Sequence, residues 1–223
     1  MVEISISILG VNDDEKATKV FYNLEIAHTD YFHIDVMDGK FVENNTHNRM
    51  KEFATTIKQI SNIPLDIHLM TYNIKEYIEQ YIDLKPNIIS FHIEATKSKE
   101  EVYELIKLIK ESNSRVGIAI SPNTSIKKIY EFLPYIHVIL LMTVEPGKGG
   151  QQLIPETVEK IRALRKYIDK NNLEVDIEAD GGINDETSVD AKKAGANILV
   201  SGAYILKSDD YKESILKLKK NIE

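Results

Sequence analysis

The sequence contains no cysteine. Disulfides, thiolate metal sites and a cysteine nucleophile are therefore excluded, and the absence fits a reducing cytosol. Positive charge is also scarce: 28 Lys and Arg stand against 35 Asp and Glu, for a formal net charge of −7, with no long basic run. No nucleic-acid surface is expected, since phosphate backbones demand clustered Lys and Arg. A small anion stays within reach, because a few backbone amides bind a phosphate without net positive charge. No apolar run approaches the ~20 residues of a membrane span. The opening "MVEISISILG" carries Glu3 and has no basic stretch before a long apolar core, which is not the pattern of a secretory signal. The expectation is a cytoplasmic protein with no membrane partner. No linker, low-complexity stretch or composition break interrupts the 223 residues, and hydrophobic residues make up 43%. One domain spanning 1–223 is expected.

What the chain does have is alternation. Short apolar, β-branched runs read as strands at 4–9, 31–36, 65–69, 87–92, 116–120, 137–142, 175–179 and 197–201. Amphipathic charged segments separate them. One spans 13–27 with Asn12 as its N-cap, and one spans 97–112 with Val102, Leu105, Ile106 and Ile109 at helical spacing. Another spans 155–170 with Pro155 in its first turn, and a Lys-rich helix spans about 209–222. Eight strands and eight helices in strict alternation imply right-handed βαβ units and a parallel sheet. The length suits a closed (β/α)₈ TIM barrel of the phosphate-binding type. An open doubly wound sheet usually carries a glycine-rich turn after its first strand. Here "GVNDDE" follows the first strand, and the glycines come late.

Polar residues gather at the C-terminal ends of the strands, where barrels build active sites. In "YFHIDVMDGK" (31–40), His33, Asp35 and Met37 share one face by strand alternation. So do Asp66, His68 and Met70 in the third strand, and Glu178 and Asp180 in the seventh. Two His and two Asp (His33, His68, Asp35, Asp180) suit one Zn²⁺, Fe²⁺, Mn²⁺ or Co²⁺ ion. The alternative is four rim residues satisfied by turns and caps. His92 and Glu94 fit supporting positions. Met37, Met70 and Met142 either fill core gaps or cap a substrate. Ser7 either reaches a substrate or fills the barrel floor. Three glycine groups follow the sixth, seventh and eighth strands: "EPGKGGQ" (145–151), "DGG" (180–182) and "SGA" (201–203). Backbone amides freed by such turns can cradle a phosphate.

Taken together, "HIDVMDGKFV", "LDIHLM", "FHIEA", "LLMTVEPGKGGQ" and "IEADGGI" resemble the ribulose-phosphate 3-epimerases in order and spacing, over nearly the whole chain. The resemblance implies a metal-dependent TIM barrel of the pentose phosphate pathway, acting on a small sugar phosphate, without organic cofactor, and assembled as a homo-oligomer. It implies His33, Asp35, His68 and Asp180 as ligands of one divalent ion, zinc first. Asp35 and Asp180 match the acid/base pair that works through a cis-enediolate. Ser7 and His68 match substrate contacts, and Met37, Met70 and Met142 match the shielding methionines. Gly147, Lys148, Gly149, Gly150, Gly181, Gly182, Gly202 and Ala203 match the phosphate cradle.

The sequence departs from the family pattern in four places. Ile6 replaces a proline, Lys148 an aromatic, "KFVEN" (40–44) replaces "HFVPN", and "SGA" replaces "AGS". The substrate alternatives are therefore D-ribulose 5-phosphate and D-allulose 6-phosphate, with "DGG" favouring the pentulose. A non-catalytic sugar-phosphate-binding barrel is the rival from another class. A D-x-K-x-x-D decarboxylase is disfavoured by Met37 and Asp38.

Overall fold

Every strand run is bounded by turn residues and rich in Ile, Leu and Val, so each pairs on both edges and is covered on its outer face. The computed structural model describes residues 2–220. Its strands are β1 (Glu3–Ser7), β2 (Tyr31–Met37), β3 (Leu65–Met70), β4 (Ile88–His92), β5 (Arg115–Ile120), β6 (Val138–Met142), β7 (Asp176–Asp180) and β8 (Ile198–Ser201). They close in sequence order into one barrel, and β8 pairs with β1 in parallel. The helices are α1 (Asp14–Ile26), α2 (His47–Ile60), α3 (Ile74–Tyr81), α4 (Lys99–Glu111), α5 (Pro155–Lys170), α6 (Thr187–Ala194), α7 (Ala203–Leu206) and α8 (Tyr211–Lys219).

Strict alternation fails once. Between β5 and β6 the chain makes two 3₁₀ turns, Ile126–Ile129 and Leu133–Tyr135, and no α-helix. Ser125 caps the first turn through Lys127 N–H, and Pro134 opens the second. A proline at that point supplies no backbone donor and prevents one helix from running through. Two helices then follow β8, so a total of eight is kept among the described residues by a different arrangement. The N-cap of α1 is Asp13, which accepts from Lys16 N–H at 3.2 Å, rather than Asn12. The last helix starts at Tyr211, capped by Asp210, and residues 221–222 of its expected span lie outside the described residues.

Alternation sorts the strand residues. Ile34, Val36, Ile67, Leu69 and Phe91 join the outer core with helix residues such as Phe21, Phe53 and Ile57. Inside, Tyr31, Ile88, Val138 and Ile198 form a separate buried cluster drawn from alternate strands, which is how a barrel floor is layered. Above it come Ser5, Asp66 and Glu178, all fully buried. Gly117 belongs among them, because a Cβ there would lie 2.0 Å from Ser90 Oγ and 2.8 Å from Ser90 Cβ. The missing side chain makes room for the serine. Gly117→Ala is therefore expected to destabilise the protein by about 1–3 kcal/mol in denaturant unfolding. Adding Ser90→Gly should return part of that loss.

Candidate functional site

Register decides which side chains meet. In the β2–β3 ladder Asp35 stands opposite His68, and Met37 opposite Met70. In β6–β7, Met142 stands opposite Asp180. Barrel closure brings β7 within reach of β2, with β8 and β1 between them. As a result, His33 Nε2 lies 3.5 Å from Asp35 Oδ1 and 3.6 Å from Asp180 Oδ2. His68 Nδ1 lies 3.4 Å from Asp35 Oδ1 and 3.3 Å from Asp180 Oδ2. All four expected ligand residues thus converge, offering donor atoms within 4.8 Å of one another.

The donor set fits a divalent ion. Both converging nitrogens, His33 Nε2 and His68 Nδ1, are buried without a hydrogen-bond partner, a costly state unless something else satisfies them. Four donors about 2.0–2.2 Å from one ion in tetrahedral array stand about 3.3–3.6 Å apart. The four nitrogen–oxygen separations span that same range. Imidazole with carboxylate is a borderline donor set that suits zinc and its first-row neighbours.

The charges are tightly interdependent. Burial would lower the pKa of His33, but the carboxylates of Asp66 and Asp35 hold it well above the usual value. Burial likewise opposes a charged His68, yet Asp180 and Asp35 raise it to about 9. Burial raises Asp35 and Asp180, but His33 and His68 pull both below the ordinary carboxylate range. The pull that holds protons on the imidazoles is equally available to a divalent cation, so metal and protons would compete for this site. Asp35 and Asp180 keep 5% and 8% exposure, while His33, His68, Asp66 and Glu178 keep none. The opening of the site is therefore on the side of the two aspartates.

Around this centre lies a polar network. Ser7 Oγ donates to Asp35 Oδ2 at 2.7 Å, leaving Oδ1 to face the imidazoles. His33 Nδ1 lies 2.7 Å from Asp66 Oδ2, which also accepts from Ser5 Oγ at 2.8 Å. Glu178 lies 3.4 Å from the same Nδ1. Its burial and the Asp66 charge push it well above the usual range, making it the carboxyl favoured to keep a proton. His68 Nε2 is 3.0 Å from His92 Nε2, and His92 Nδ1 is 3.0 Å from Glu94 Oε2. Asp66, Glu178 and Ser5 carry no assigned role in the sequence reading. Their signal is the strand phase, since Asp66 and Glu178 sit two residues before His68 and Asp180.

The methionines are buried at the inner top of β2, β3 and β6: Met37 1%, Met70 1% and Met142 3% exposed. Met142 joins Ala119, Leu140 and Val144 in an apolar cluster. Asp38, just past the β2 row, is a loop organiser. Its Oδ1 accepts the N–H groups of Lys40 and Phe41, and its Oδ2 that of Tyr72, each at 2.8 Å.

Two of the three glycine groups reach the end of β1, where Gly149 approaches Leu9 and Gly202 approaches Ser7. Ala203 opens the short helix α7. Gly181 packs on Val144. Gly182 has φ +67°, and a Cβ there would fall 2.3 Å from Leu153 N, so only glycine lets the β7 loop lie against residues 151–154. Gly147 abuts Val42, and its carbonyl accepts from Asn44 Nδ2 at 2.7 Å. Lys148 pairs with Glu43 at 3.4 Å, and Gly150 lies in the same loop with φ +75°. A cleft of about 560 Å³ separates the β2 and β6 loops, lined by Phe41, Glu43, Glu145 and Lys148 among others. The four converging His and Asp residues do not line it.

Glu94 gives a pH prediction. Burial raises its carboxyl, but His92, Thr124 and the Ser121 N–H outweigh this and hold it at about 2, below the ordinary 4.5. A depressed carboxyl contributes stability above its unfolded value and loses it as pH falls through the folded one. Between about pH 4.5 and about pH 2 the parent should lose stability more steeply than Glu94→Gln. Chemical denaturation across that range measures the difference.

The profile of the Ribulose-phosphate 3 epimerase family matches residues 3–206. The chain is 35% identical over 219 residues to the ribulose-phosphate 3-epimerase of Methanocaldococcus jannaschii, covering 98% of this chain and 90% of that one. It is 39% identical over 200 residues to that of Chlamydia muridarum, with 88% and 86% coverage. For Helicobacter pylori J99 the figures are 36% over 190 residues, with 85% of each chain covered. Among solved structures, a tryptophan synthase α-subunit from Pyrococcus furiosus superposes with TM-score 0.68 at 14% identity, covering 98% of this chain and 96% of that one. A thiamine phosphate pyrophosphorylase from the same organism gives 0.63 at 10% identity, with 98% and 94% coverage. At those identities the likeness is one of fold, the TIM barrel. With a family match across most of its length and a buried His/Asp cluster of the kind a divalent ion requires, this chain belongs to the ribulose-phosphate 3-epimerase family.

Proposed function

We propose that this protein inverts the third carbon of a ketose phosphate, interconverting D-ribulose 5-phosphate and D-xylulose 5-phosphate. The observation that carries the reading is the pair Asp35 and Asp180. They rise from β2 and β7, face the same two imidazoles, and are the members of the cluster that retain exposure. Inversion next to a ketone needs one proton-handling group on each face of the reacting carbon.

His33, Asp35, His68 and Asp180 would hold one divalent ion, zinc before iron, manganese or cobalt. When bound, such an ion supplies Lewis-acid stabilisation of the oxyanion that develops as the C–H bond breaks. One aspartate removes the proton as a base, and a planar cis-enediolate results. The other, protonated, returns a proton on the opposite face. Once a substrate proton reaches either aspartate, the charge on its neighbour favours keeping it there, which suits a reaction that runs in both directions. Ser7 fixes Asp35 through Oδ2, so that its other oxygen keeps its aim. Met37, Met70 and Met142 exclude water without offering a competing acid. The glycine-rich loops at 147–150, 181–182 and 202–203 take the phosphate on backbone amides, with Lys148 nearby. Binding energy at the phosphate orients the sugar between the aspartates. No organic cofactor is needed. The same reading makes the protein a one-domain, cytoplasmic homo-oligomer of pentose phosphate metabolism.

Turnover of ribulose 5-phosphate in D₂O should place deuterium at the third carbon of the recovered sugars. Sugars without deuterium after full turnover would sink the proton-transfer mechanism. Faster turnover of allulose 6-phosphate would move the assignment to the six-carbon substrate. Asp35→Asn and Asp180→Asn should each lower turnover about 10²–10⁴-fold while the circular dichroism stays native. Near-parental rates in either variant would contradict the two-carboxylate assignment.

A further inference from the structure

We infer that two carboxylates outside the ligand set, Asp66 directly and Glu94 through His92, fix the tautomers of His33 and His68, presenting Nε2 of His33 and Nδ1 of His68 to the cation. The inference rests on the metal site proposed above and assigns two positioning residues to it.

The two histidines turn opposite nitrogens toward the same point, and register explains why. His33 stands level with Asp66, whereas His68 stands level with Asp35, two residues further along the barrel. His33 therefore reaches the aspartates with its distal nitrogen, and His68 with its proximal one. A neutral imidazole has one N–H and one lone pair, and a cation requires the lone pair. The right tautomer is then different for each ring, and sequence-local geometry does not choose it.

For His33 the choice is made in one step. Nδ1 lies 2.7 Å from Asp66 Oδ2. An ionised carboxylate only accepts, so Nδ1 carries the hydrogen and Nε2 keeps its lone pair toward Asp35 and Asp180. Ser5 Oγ, donating to the same oxygen at 2.8 Å, holds Asp66 in place.

For His68 the choice takes two steps. Its Nε2 faces His92 Nε2 at 3.0 Å, and two facing ring nitrogens share one hydrogen. If His92 supplied it, His68 would carry its own hydrogen on Nδ1, blocking the cation. Glu94 prevents this. Its Oε2 lies 3.0 Å from His92 Nδ1 and demands the hydrogen there. His92 Nε2 must then accept, His68 donates from Nε2, and His68 Nδ1 is free. Glu94 is itself anchored, because Oε1 accepts Ser121 N–H at 2.8 Å. Lys160 on α5 holds that loop by donating to the carbonyls of Ser121, Pro122 and Thr124 at 3.1, 2.8 and 2.6 Å. Such outer partners of a metal-binding histidine typically matter about 10–100-fold in metal affinity.

The test is zinc affinity of the purified chain by chelator competition, with ring ¹⁵N spectra of the zinc-loaded protein. Glu94→Gln and Asp66→Asn should each bind zinc about 10–100-fold more weakly, with native circular dichroism. The loaded parent should show hydrogen on Nδ1 of His33, Nε2 of His68 and Nδ1 of His92. Unchanged zinc affinity in Glu94→Gln, or hydrogen found on Nδ1 of His68, overturns the inference while leaving the metal site standing. Glu94 is at the rim, so this arm holds even if Asp66→Asn misfolds. A parent chain whose zinc binding is indifferent to His33→Ala overturns the metal reading, and the inference with it.

Discussion

Everything at the centre of this barrel follows from the cost of burying charge. Asp35, Asp66, Glu178 and Asp180 enter a space from which water is nearly excluded, and an uncompensated carboxylate there costs several kcal/mol. Three answers are visible. Asp35 and Asp180 face the imidazoles of His33 and His68. Asp66 takes hydrogen bonds from Ser5 and His33. Glu178 is driven toward its protonated form. The barrel wall supplies the opposite ingredient, a shell of Ile, Leu, Val and Phe around the polar interior. The stability of the wall is what lets the interior stay polar.

The exposed end of the site inherits its character from this arrangement. Compensation is partial at both levels: below, Asp66 Oδ1 and both Glu178 oxygens lie buried without a hydrogen-bond partner, and above, two imidazole nitrogens face the aspartates without one. The β2 loop above them is ordered by Asp38 and tied to β2 by Thr46, whose Oγ1 donates to Asp35 O at 2.6 Å and accepts from Met37 N–H at 3.0 Å.

Much of this was legible in the sequence, because alternation and strand ends are local properties. Eight apolar runs identified the eight strands, and the strand ends identified His33, Asp35, His68 and Asp180 as one group. What local reading could not supply was depth and registration across the barrel. Asp66 and Glu178 share the phase of His68 and Asp180, but their contact with His33 depends on closure through β8 and β1. The His68–His92 contact depends on the β3–β4 offset, in which His68 pairs with Ser90. The helix expected between β5 and β6 failed because apolar spacing in "SIKKIYEFLPYI" conceals the serine cap and the proline that divide it. Asn12 lost the cap to Asp13 by one position, because the Asp13 carboxylate is the one that reaches Lys16 N–H.

The cleft between the β2 and β6 loops gives two sequence departures a joint meaning. Glu43 and Lys148 each replace a residue of different character in the family pattern, and each looks like an isolated loss. In space they face one another at 3.4 Å, next to the packing of Val42 on Gly147 and the bond from Asn44 to its carbonyl. The two departures thus form one contact, a pair of opposite charges across the cleft. Apolar contact strengthens with buried area and is not screened by ions in solution, whereas exposed opposite charges weaken as ionic strength rises. The wall of this cleft is thus coupled to the salt around it through its exposed Glu43–Lys148 pair.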